Sequence, residues 1–365
     1  MKNKIVTVSF LVILLGLFVS NLISPDAELS YSERRRLAQL PKLTAKSVLN
    51  GEYMTAFDKY STDQFIGREQ LRGVKTVVDR NVLLKLDTNG LFRAHGGIFS
   101  IEYPLHEDKV ARMCERMTVL YNSYLKGMNV YYTIVPDKNC YLPDNGTYLL
   151  MDYKKQVALM AAGMPQAASY IDLFDTLTLD NYYNSDGHWR QETLKPVVDT
   201  LYSAMGNAQT FDPAQYEQIS YWPFYGAYYG QLAGMALPDT LIRLENEVTR
   251  DAVVTSLGHP GQENLPVYYV DGLGGMDSYD VFLYGAQPLI TLDNPHNTSG
   301  RELIVFRDSY GSSLAPVMLE AYSRITLVDL RYITQELLAS YIEFDNQDVL
   351  LMYSTSIINN SDIIR

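Results

Sequence analysis

The chain has 365 residues, of which 47% are hydrophobic and 20% are charged, so it can bury a large core as two domains or as one domain with insertions. Its formal net charge of -12 argues against nucleic acid or anionic lipid as the main partner, because either would need an excess of Lys and Arg. The 29 tyrosines suit half-buried sheet surfaces and also sugar-like ligands.

The N-terminus carries a targeting signal. Lys2 and Lys4 precede an uncharged run at 5–23, close to the roughly 20 residues that span a bilayer as a helix. No small-residue cleavage site follows before Pro25, which favours an uncleaved signal anchor over a cleaved signal peptide. We therefore expect a signal anchor at 1–24 that crosses the membrane through residues 5–23, a polar linker at 25–50 and an extracytoplasmic domain at 51–365.

The first part of this domain is predicted to be helical. Residues 52–86 contain two helical stretches, and the second has an apolar stripe that we expect to pack across the main domain. A hairpin-like piece, a helix around Cys114 and a buried-strand pattern at 130–136 follow. In an exported chain Cys114 and Cys140 invite a disulfide, which needs Cα atoms within roughly 7 Å. Cys114 and Cys140 lie at different distances from the turn that joins their helix and strand, so the sequence does not decide whether they form a disulfide.

The second part of the domain ends in regular alternation. A helix at 151–162 and a strand at 168–173 come first, and the tyrosine-rich segment 216–235 has loop character. Residues 240–300 have a pattern of short strands and turns with many acidic groups, which indicates an insertion or lid, and we expect an insertion around 205–300. Strands and helices then alternate, with strands at 302–306, 325–330 and 348–353 and helices reaching 322 and covering 334–342. This pattern predicts an α/β fold with a mainly parallel sheet covered on both faces.

Ser309 lies where the first of these C-terminal strands turns into a helix. Such a turn raises a hydroxyl above the carboxyl edge of a parallel sheet, beside backbone N–H groups at a helix N-terminus. The position suits a nucleophile. It also suits a helix cap, since Asp308 or Ser309 could simply bond the first turn of the helix.

His188 is the histidine best placed to act as a base. Asp186 precedes it by two residues in a loop, where a carboxylate could orient the imidazole, and Trp189 follows it. The other four histidines, His95, His106, His259 and His296, occur in turn or surface contexts. The D-x-H pattern alone is also compatible with a structural loop.

Together these segments resemble a known family. Asp186-Gly187-His188-Trp189 resembles the D-x-H-W motif of the DHHW proteins and of the alginate O-acetyltransferase-like proteins, and the segment from Asp308 to Gly311 resembles their nucleophile segment. The sequence LSYSERRRLAQLPKLT, after the predicted anchor, is similar to the segment that follows the anchor in this family. The order of anchor, D-x-H-W and serine agrees as well. This chain has Gly187 at the second motif position, where the family usually has His.

The resemblance implies an SGNH-hydrolase-like three-layer sandwich in which the catalytic motifs occur in permuted order. Ser309 would be the nucleophile, His188 the base and Asp186 its orienting carboxylate. The reaction implied is serine O-acyl transfer or ester hydrolysis on a cell-surface or secreted polysaccharide. A membrane-bound acyltransferase would be the partner that donates the acyl group.

The oxyanion and sugar sites are less tightly specified. Backbone N–H groups of Ser309 or Tyr310 are natural oxyanion donors, and Lys138 or Gln231 could add a side chain. The aromatic residues Trp222, Tyr225 and Tyr228 could stack on sugar rings, or could simply pack.

Two alternatives remain at this stage. Asp186, His188 and Asp308 could form a carboxylate-rich metal site, but the sequence has no H-x-x-x-H motif and no Cys/His cluster, so we expect no metal. It also has no Walker-type or GxGxxG motif in a strand-helix context, so we expect no cofactor. The second alternative is a non-catalytic glycan-binding or scaffold protein of an envelope polysaccharide assembly, which would use the aromatic segment.

Overall fold

The computed structural model describes residues 2–144, 146–232, 237–262 and 264–365. The chain forms two compact units, Met1–Leu91 with Tyr229–Leu237 and Phe92–Tyr228 with Pro238–Arg365. The elements up to residue 90 are α1 (Lys2–Ile23), β1 (Leu29–Ser30), β2 (Arg35–Arg36), α2 (Ala45–Leu49), α3 (Glu52–Asp63) and α4 (Arg68–Asn81).

Helix α1 corresponds to the predicted anchor. Among the described residues it is the one helix long and apolar enough to cross a membrane, and a signal sequence at an N-terminus would have the same character. Residues 25–50, predicted as a linker, include two short paired strands and α2.

The arginine-rich segment after α1 is held by ion pairs within the first unit. Arg35 bonds Asp63 at the end of α3 through both guanidinium ends, at 2.8 Å and 2.5 Å. The Ala38 N–H also donates to Asp63, at 2.8 Å. Arg35 thereby lowers the pKa of Asp63 to about 2. Glu33 pairs with Arg68 of α4 at 2.5 Å. These contacts fold the segment back onto α3 and α4.

The apolar stripe of α4 differs from its prediction. Its members are exposed, with Leu71 at 54%, Val74 at 60%, Val77 at 43% and Val78 at 39%. The helix instead buries Thr76 and Asp79. Asp79 is paired with Lys75 and Lys85, so the buried face of α4 is the one that carries polar and ionic contacts. The predicted burial of the stripe is therefore wrong.

From residue 91 on, the chain is built of alternating strands and helices. These elements are β3 (Leu91–Ala94), β4 (Gly97–Ser100), α5 (Glu107–Leu120), β5 (Asn129–Val135), α6 (Tyr153–Gly163), β6 (Ala168–Ile171), α7 (Lys195–Ala204), β7 (Glu217–Phe224), α8 (Ala227–Gln231), β8 (Asp239–Glu245), α9 (Glu247–Asp251), β9 (Val253–Ser256), β10 (Leu289–Asp293), β11 (Glu302–Arg307), α10 (Tyr310–Met318), β12 (Arg324–Val328), β13 (Asp348–Ser354) and α11 (Thr355–Asn359).

A seven-stranded sheet organises the second unit, in the order β6-β5-β13-β11-β12-β10-β9. The five strands from β6 to β12 are parallel, and β10 and β9 are antiparallel at one edge. Alternate residues of β11 face opposite sides: Leu303 and Val305 join the core with α7 and α10, whereas Ile304 and Phe306 join the core with α5 and α6. Helices thus cover both faces, which confirms the predicted α/β class with a mainly parallel sheet.

The range 205–300 contains short strands, as its pattern indicated. Its strands β9 and β10 belong to the central sheet, and β7 and β8 form an antiparallel pair. The prediction of a loop at 216–235 is wrong for its first half, because alternating and aromatic residues there form β7. Farther on, the helix predicted at 334–342 is a 3-10 helix, Gln335–Ser340.

Both cysteines are free thiols, so the disulfide that the sequence left open does not form. Cys114 is buried on α5 and faces α6, with its Sγ 3.7 Å from Sδ of Met160. Cys140 lies in the 3-10 turn after β5. Burial raises the pKa of Cys114 to about 11, so this thiol is not a reactive nucleophile.

The loop at 186–189 is fixed to helix α10 by Trp189. The indole is completely buried, and its Nε1–H donates to Oγ of Ser313 at 2.9 Å. Gln191 adds a bond from Nε2 to the Ser313 carbonyl at 2.8 Å. Because α10 follows β11 directly, these contacts bring the loop to the carboxyl edge of the sheet, where β5, β11 and β13 all end.

Trp189→Phe should destabilise the protein, because it removes the Nε1–H donor and leaves part of the indole volume empty. We expect the free energy of unfolding to fall by roughly 1–3 kcal/mol. Trp222→Phe is the matched control, since Trp222 is 66% exposed, and should change it by less than about 0.5 kcal/mol. Urea unfolding followed by circular dichroism measures both, and equal losses would contradict this role of Trp189.

Candidate active site

Ser309 occupies the turn between β11 and α10, as predicted. The neighbouring Asp308 does the capping: its Oδ1 accepts the Tyr310 N–H at 3.1 Å, and its Oδ2 accepts the Ser354 N–H at the end of β13 at 2.7 Å. Ser309 makes no capping bond with its side chain. Of the two roles that the sequence left open for this pair, the cap therefore falls to Asp308, and the Ser309 hydroxyl is directed elsewhere.

That hydroxyl meets the loop that contains His188. The His188 Nε2 lies 2.7 Å from the Ser309 Oγ, and its Nδ1 lies 2.6 Å from Oδ1 of Asp186. The Asp186 carboxylate oxygen accepts a hydrogen bond from Nδ1–H of the imidazole, which leaves the Nε2 lone pair facing the serine hydroxyl. The three predicted side chains thus form one continuous chain of hydrogen bonds, with the geometry needed for proton transfer from Ser309.

Asp186 is held by backbone donors as well as by the imidazole. Its side chain is 1% exposed. The His188 N–H donates to Oδ1 at 3.0 Å, and the Ala227 N–H at the start of α8 donates to Oδ2 at 2.6 Å. Both carboxylate oxygens therefore accept hydrogen bonds, which offsets the cost of burying the group.

Tyr279 holds the imidazole from one side. Its ring stacks on His188 with 4.0 Å between centroids and 11° between planes. Its hydroxyl and Oγ of Ser313 lie 2.8 Å apart. Burial raises the pKa of Tyr279 well above its usual value, so the hydroxyl stays neutral. No sequence pattern indicated a role for Tyr279, because it lies among short turns and 3-10 segments that show no periodicity.

The glycine in the D-x-H-W segment has a steric explanation. A Cβ at Gly187 would lie 2.6 Å from the Tyr228 hydroxyl oxygen, so a larger residue there would require Tyr228 to move. The Gly187 carbonyl also accepts the Tyr310 hydroxyl at 2.7 Å. The departure from the usual motif is therefore accommodated by Tyr228, which occupies the space that the missing side chain leaves.

Lys138 holds the same loop through hydrogen bonds to its backbone. Its Nζ donates to the carbonyls of Tyr183, Asn184 and Asp186 at 3.0, 3.3 and 2.6 Å. An ammonium has three N–H donors, so these bonds use all of them. This arrangement favours a positioning role over the predicted donation to an oxyanion. Burial lowers the pKa of Lys138 to about 8.

The other oxyanion candidates are placed differently. The Tyr310 N–H is bonded to Asp308, whereas within the described residues the Ser309 N–H has no acceptor, so Ser309 is the better backbone donor of the two. Gln231 falls in the first unit, where its carbonyl accepts Nδ2 of Asn89 at 3.4 Å. A contribution from Gln231 to the site stays a prediction.

The three predicted stacking residues do not share one environment. Tyr228 lines the cleft at Ser309, with its ring centroid 5.2 Å from the Lys138 Nζ and its hydroxyl 3.3 Å from Oγ of Ser100. Trp222 is 66% exposed and Tyr225 is 46% exposed, and neither lines the cleft. Sugar stacking stays a prediction for these residues.

The cleft itself has a volume of 180 Å³, and most of the residues that line it are polar or charged. Asp137, after β5, accepts bonds from Thr355 at 2.7 Å and from Tyr153 at 3.0 Å. Its burial raises its pKa to about 6. Glu102 lies at the same cleft and is half-buried. These two carboxylates are functional candidates that sequence analysis missed, since neither lies in a recognisable motif.

The metal alternative raised by the sequence has little support at this cleft, because both Asp308 oxygens are already bonded to backbone N–H groups. In the described part of the chain, the group with metal-ligand spacing is Glu247, Asp251 and His296, all exposed. Its His296 and Asp251 pair directly at 2.8 Å, which accounts for their proximity.

Comparison with known proteins supports the fold. No family model matches the sequence, and no curated protein matches it. A DHHW family protein from Eubacterium siraeum superposes with a TM-score of 0.61 at 17% identity, over 76% of this chain and 94% of that chain. The chain shares the fold of a DHHW family protein. The likeness to this family that the motifs predicted is therefore confirmed at the level of fold.

Two further solved proteins have related structures. Bacillus cereus PatB1 superposes with a TM-score of 0.58 at 15% identity, over 73% of this chain and 96% of that chain. PatB1 has also been solved with a sulfonyl adduct, at the same TM-score of 0.58. The O-acetyltransferase domain of Pseudomonas putida AlgJ is more distant, with a TM-score of 0.44 at 13% identity, over 74% of this chain and 92% of that chain.

The buried Lys138 should make stability depend on pH in a defined window. Its pKa is about 8 in the folded chain and 10.5 when unperturbed. Between these values the unfolded chain binds more protons, so this group makes the free energy of unfolding rise with pH. Lys138→Met should lack that rise. Between about pH 8 and pH 10.5, the free energy of unfolding of the wild type should therefore increase by up to about 3 kcal/mol relative to that of Lys138→Met.

Denaturant unfolding at several pH values between about 7.5 and 10.5 measures this difference. Lys154→Met is the matched control, since Lys154 is exposed on α6, and it should retain the wild-type rise. Parallel curves for the wild type and Lys138→Met would contradict the lowered pKa.

Proposed function

We propose that this protein is a membrane-anchored, extracytoplasmic serine O-acyltransferase or esterase of the SGNH-hydrolase-like type that acts on a polysaccharide. The observation that supports this most strongly is the hydrogen-bonded chain Ser309–His188–Asp186, with 2.7 Å and 2.6 Å between the paired atoms. A serine hydroxyl is a weak nucleophile until a neighbouring base removes its proton. The chain of bonds provides that base and a carboxylate to orient it.

In the proposed reaction the Ser309 Oγ attacks the carbonyl carbon of an acyl ester while its proton moves to Nε2 of His188. The tetrahedral oxyanion is stabilised by the Ser309 N–H, and the imidazolium by Asp186. Collapse of this intermediate breaks the bond to the leaving oxygen, which takes the proton from Nε2. The product is an acyl ester on Ser309.

The second half of the reaction runs in the opposite sense. A sugar hydroxyl or a water loses its proton to Nε2 of His188 and attacks the acyl carbonyl, and Ser309 leaves with that proton. A sugar hydroxyl as the attacking group makes the protein a transferase, and water makes it an esterase. Ser309 lies beside a cleft that combines apolar surface with polar and charged side chains, which is compatible with binding of a sugar acceptor.

Two further observations support the proposal. A structure of PatB1, which shares this fold, contains a sulfonyl adduct, and such adducts form on activated nucleophiles. Helix α1 supports the anchor, since it has the length and composition of a membrane span. By its resemblance to the DHHW and alginate O-acetyltransferase-like proteins, the chain would receive its acyl group from a membrane-bound acyltransferase.

A non-catalytic glycan-binding role is the second candidate. The observation that favours it is the exposure of Trp222 and Tyr225, because exposed aromatic rings can stack on sugars. The hydrogen-bonded serine is not needed for such a role. Loss of sugar binding in Trp222→Ala, in a protein that does not turn over esters, would favour this alternative.

Ser309→Ala should abolish turnover of 4-nitrophenyl acetate, because it removes the atom that forms the acyl ester. We expect kcat/KM to fall by at least about 10³-fold, and His188→Ala to have a similar effect. Steady-state release of 4-nitrophenol by the purified full-length protein in detergent measures both.

The matched control is Ser312→Ala, one turn along α10. Ser312 is 1% exposed, and within the described residues its hydroxyl has no hydrogen-bond partner. Its removal should leave activity within about twofold of the wild type and should not lower stability. Normal turnover by folded Ser309→Ala would sink the proposed mechanism.

A further inference from the structure

The charges around the Ser309 cleft are strongly one-sided. Its lining includes the carboxylates Glu102, Asp137, Asp186 and Asp308, against the single ammonium of Lys138 and the imidazole of His188. Most of these groups already have partners in the protein. The ammonium is directed at three backbone carbonyls and therefore has no N–H left for a bound anion.

Glu102 is the carboxylate of this set that remains available to a ligand. The Ser100 hydroxyl donates to its Oε1 at 2.9 Å. Its Oε2 has no partner among the described residues, and the side chain is only half-buried. By contrast, Asp186 and Asp308 have both oxygens bonded to backbone or imidazole donors, and Asp137 is bonded to Thr355 and Tyr153.

A negative group bound in this cleft would lose water and gain no cation in exchange. Glu102 lines the same 180 Å³ cleft as Ser309, so an anionic sugar bound there would be repelled by a like charge. A sugar hydroxyl or ammonium would instead find an acceptor in the free Glu102 oxygen. The site is therefore matched to uncharged or cationic sugars.

We propose that the cleft selects a neutral or positively charged glycan over a uronate or other anionic glycan, and that Glu102 makes this selection. The inference rests on the proposed function, because it concerns the sugar whose hydroxyl is acylated or whose ester is cleaved at Ser309. It restricts the polysaccharide substrate to those without carboxylate, sulfate or phosphate beside the reacting hydroxyl.

The test compares two sugars that differ only in charge, acetylated methyl glucoside and acetylated methyl glucuronate. For the wild type we expect kcat/KM for acetate release to be at least about 10-fold higher with the glucoside. Glu102→Gln keeps the shape of the side chain and removes its charge. The ratio of kcat/KM for the glucoside to kcat/KM for the glucuronate should therefore fall at least about 5-fold. Glu102→Lys should bring the ratio below one.

The matched control is Asp345→Asn, which removes the same charge at the opposite edge of the sheet. Asp345 is exposed and lies just before β13, and the last residue of that strand, Ser354, lines the cleft. The seven residues of β13 span about 20 Å, so Asp345 lies far from the cleft. This variant should keep the wild-type ratio. If the Glu102 variants do not fold, the dependence of kcat/KM on salt concentration in the wild type is measured instead. Rising ionic strength should raise kcat/KM for the glucuronate and leave that for the glucoside unchanged.

The outcomes separate this inference from the function on which it rests. No turnover of 4-nitrophenyl acetate by the wild type would overturn the proposed function, and this inference with it. Turnover of that ester with equal kcat/KM for the two sugars, or with a ratio unchanged in Glu102→Gln, would overturn the selection by charge and leave the catalytic proposal intact.

Discussion

The hydrogen bond between Ser309 and His188 joins two loops that are 121 residues apart in the sequence, and the other contacts of the cleft hold those loops in place. The Asp308 carboxylate accepts a hydrogen bond from the Ser354 N–H and so connects the Ser309 turn to the end of β13. Lys138 donates to backbone carbonyls of the residues that precede His188. Trp189 binds the second loop to α10 from the side of the core. The imidazole is thus fixed by groups that do not react, as a preorganised site requires.

The sequence predicted those parts of this arrangement that depend on local pattern. The apolar run of β11 and the following turn located Ser309, and a carboxylate two residues before His188 identified the base. The alternating strands and helices predicted the parallel sheet, so the edge on which both loops lie could be inferred. The structure adds that Asp308 is the cap and that the serine hydroxyl is directed at His188.

Other features depend on contacts between distant segments and could not be predicted. Tyr279 stacks on His188 from a segment of short turns, and Tyr228 fills the space above Gly187 from a separate element. The strand β7 was missed because glycines and Pro223 within 216–235 indicated a loop, whereas pairing with β8 favours the strand. The apolar stripe of α4 has the period of a buried helix yet is exposed, and the residues that this helix buries are Thr76 and Asp79.

In the proposed reaction Ser309 becomes acylated, and direct detection of that ester is the sharpest test of the mechanism. Full-length protein is mixed with 4-nitrophenyl acetate, quenched in acid within the first turnover, digested and mapped by mass spectrometry. We expect one acetyl group on the peptide that contains Ser309, at the Ser309 oxygen, and none there in Ser309→Ala or His188→Ala. An acetyl group on another residue of the wild type during productive turnover, with Ser309 unmodified, would contradict this mechanism.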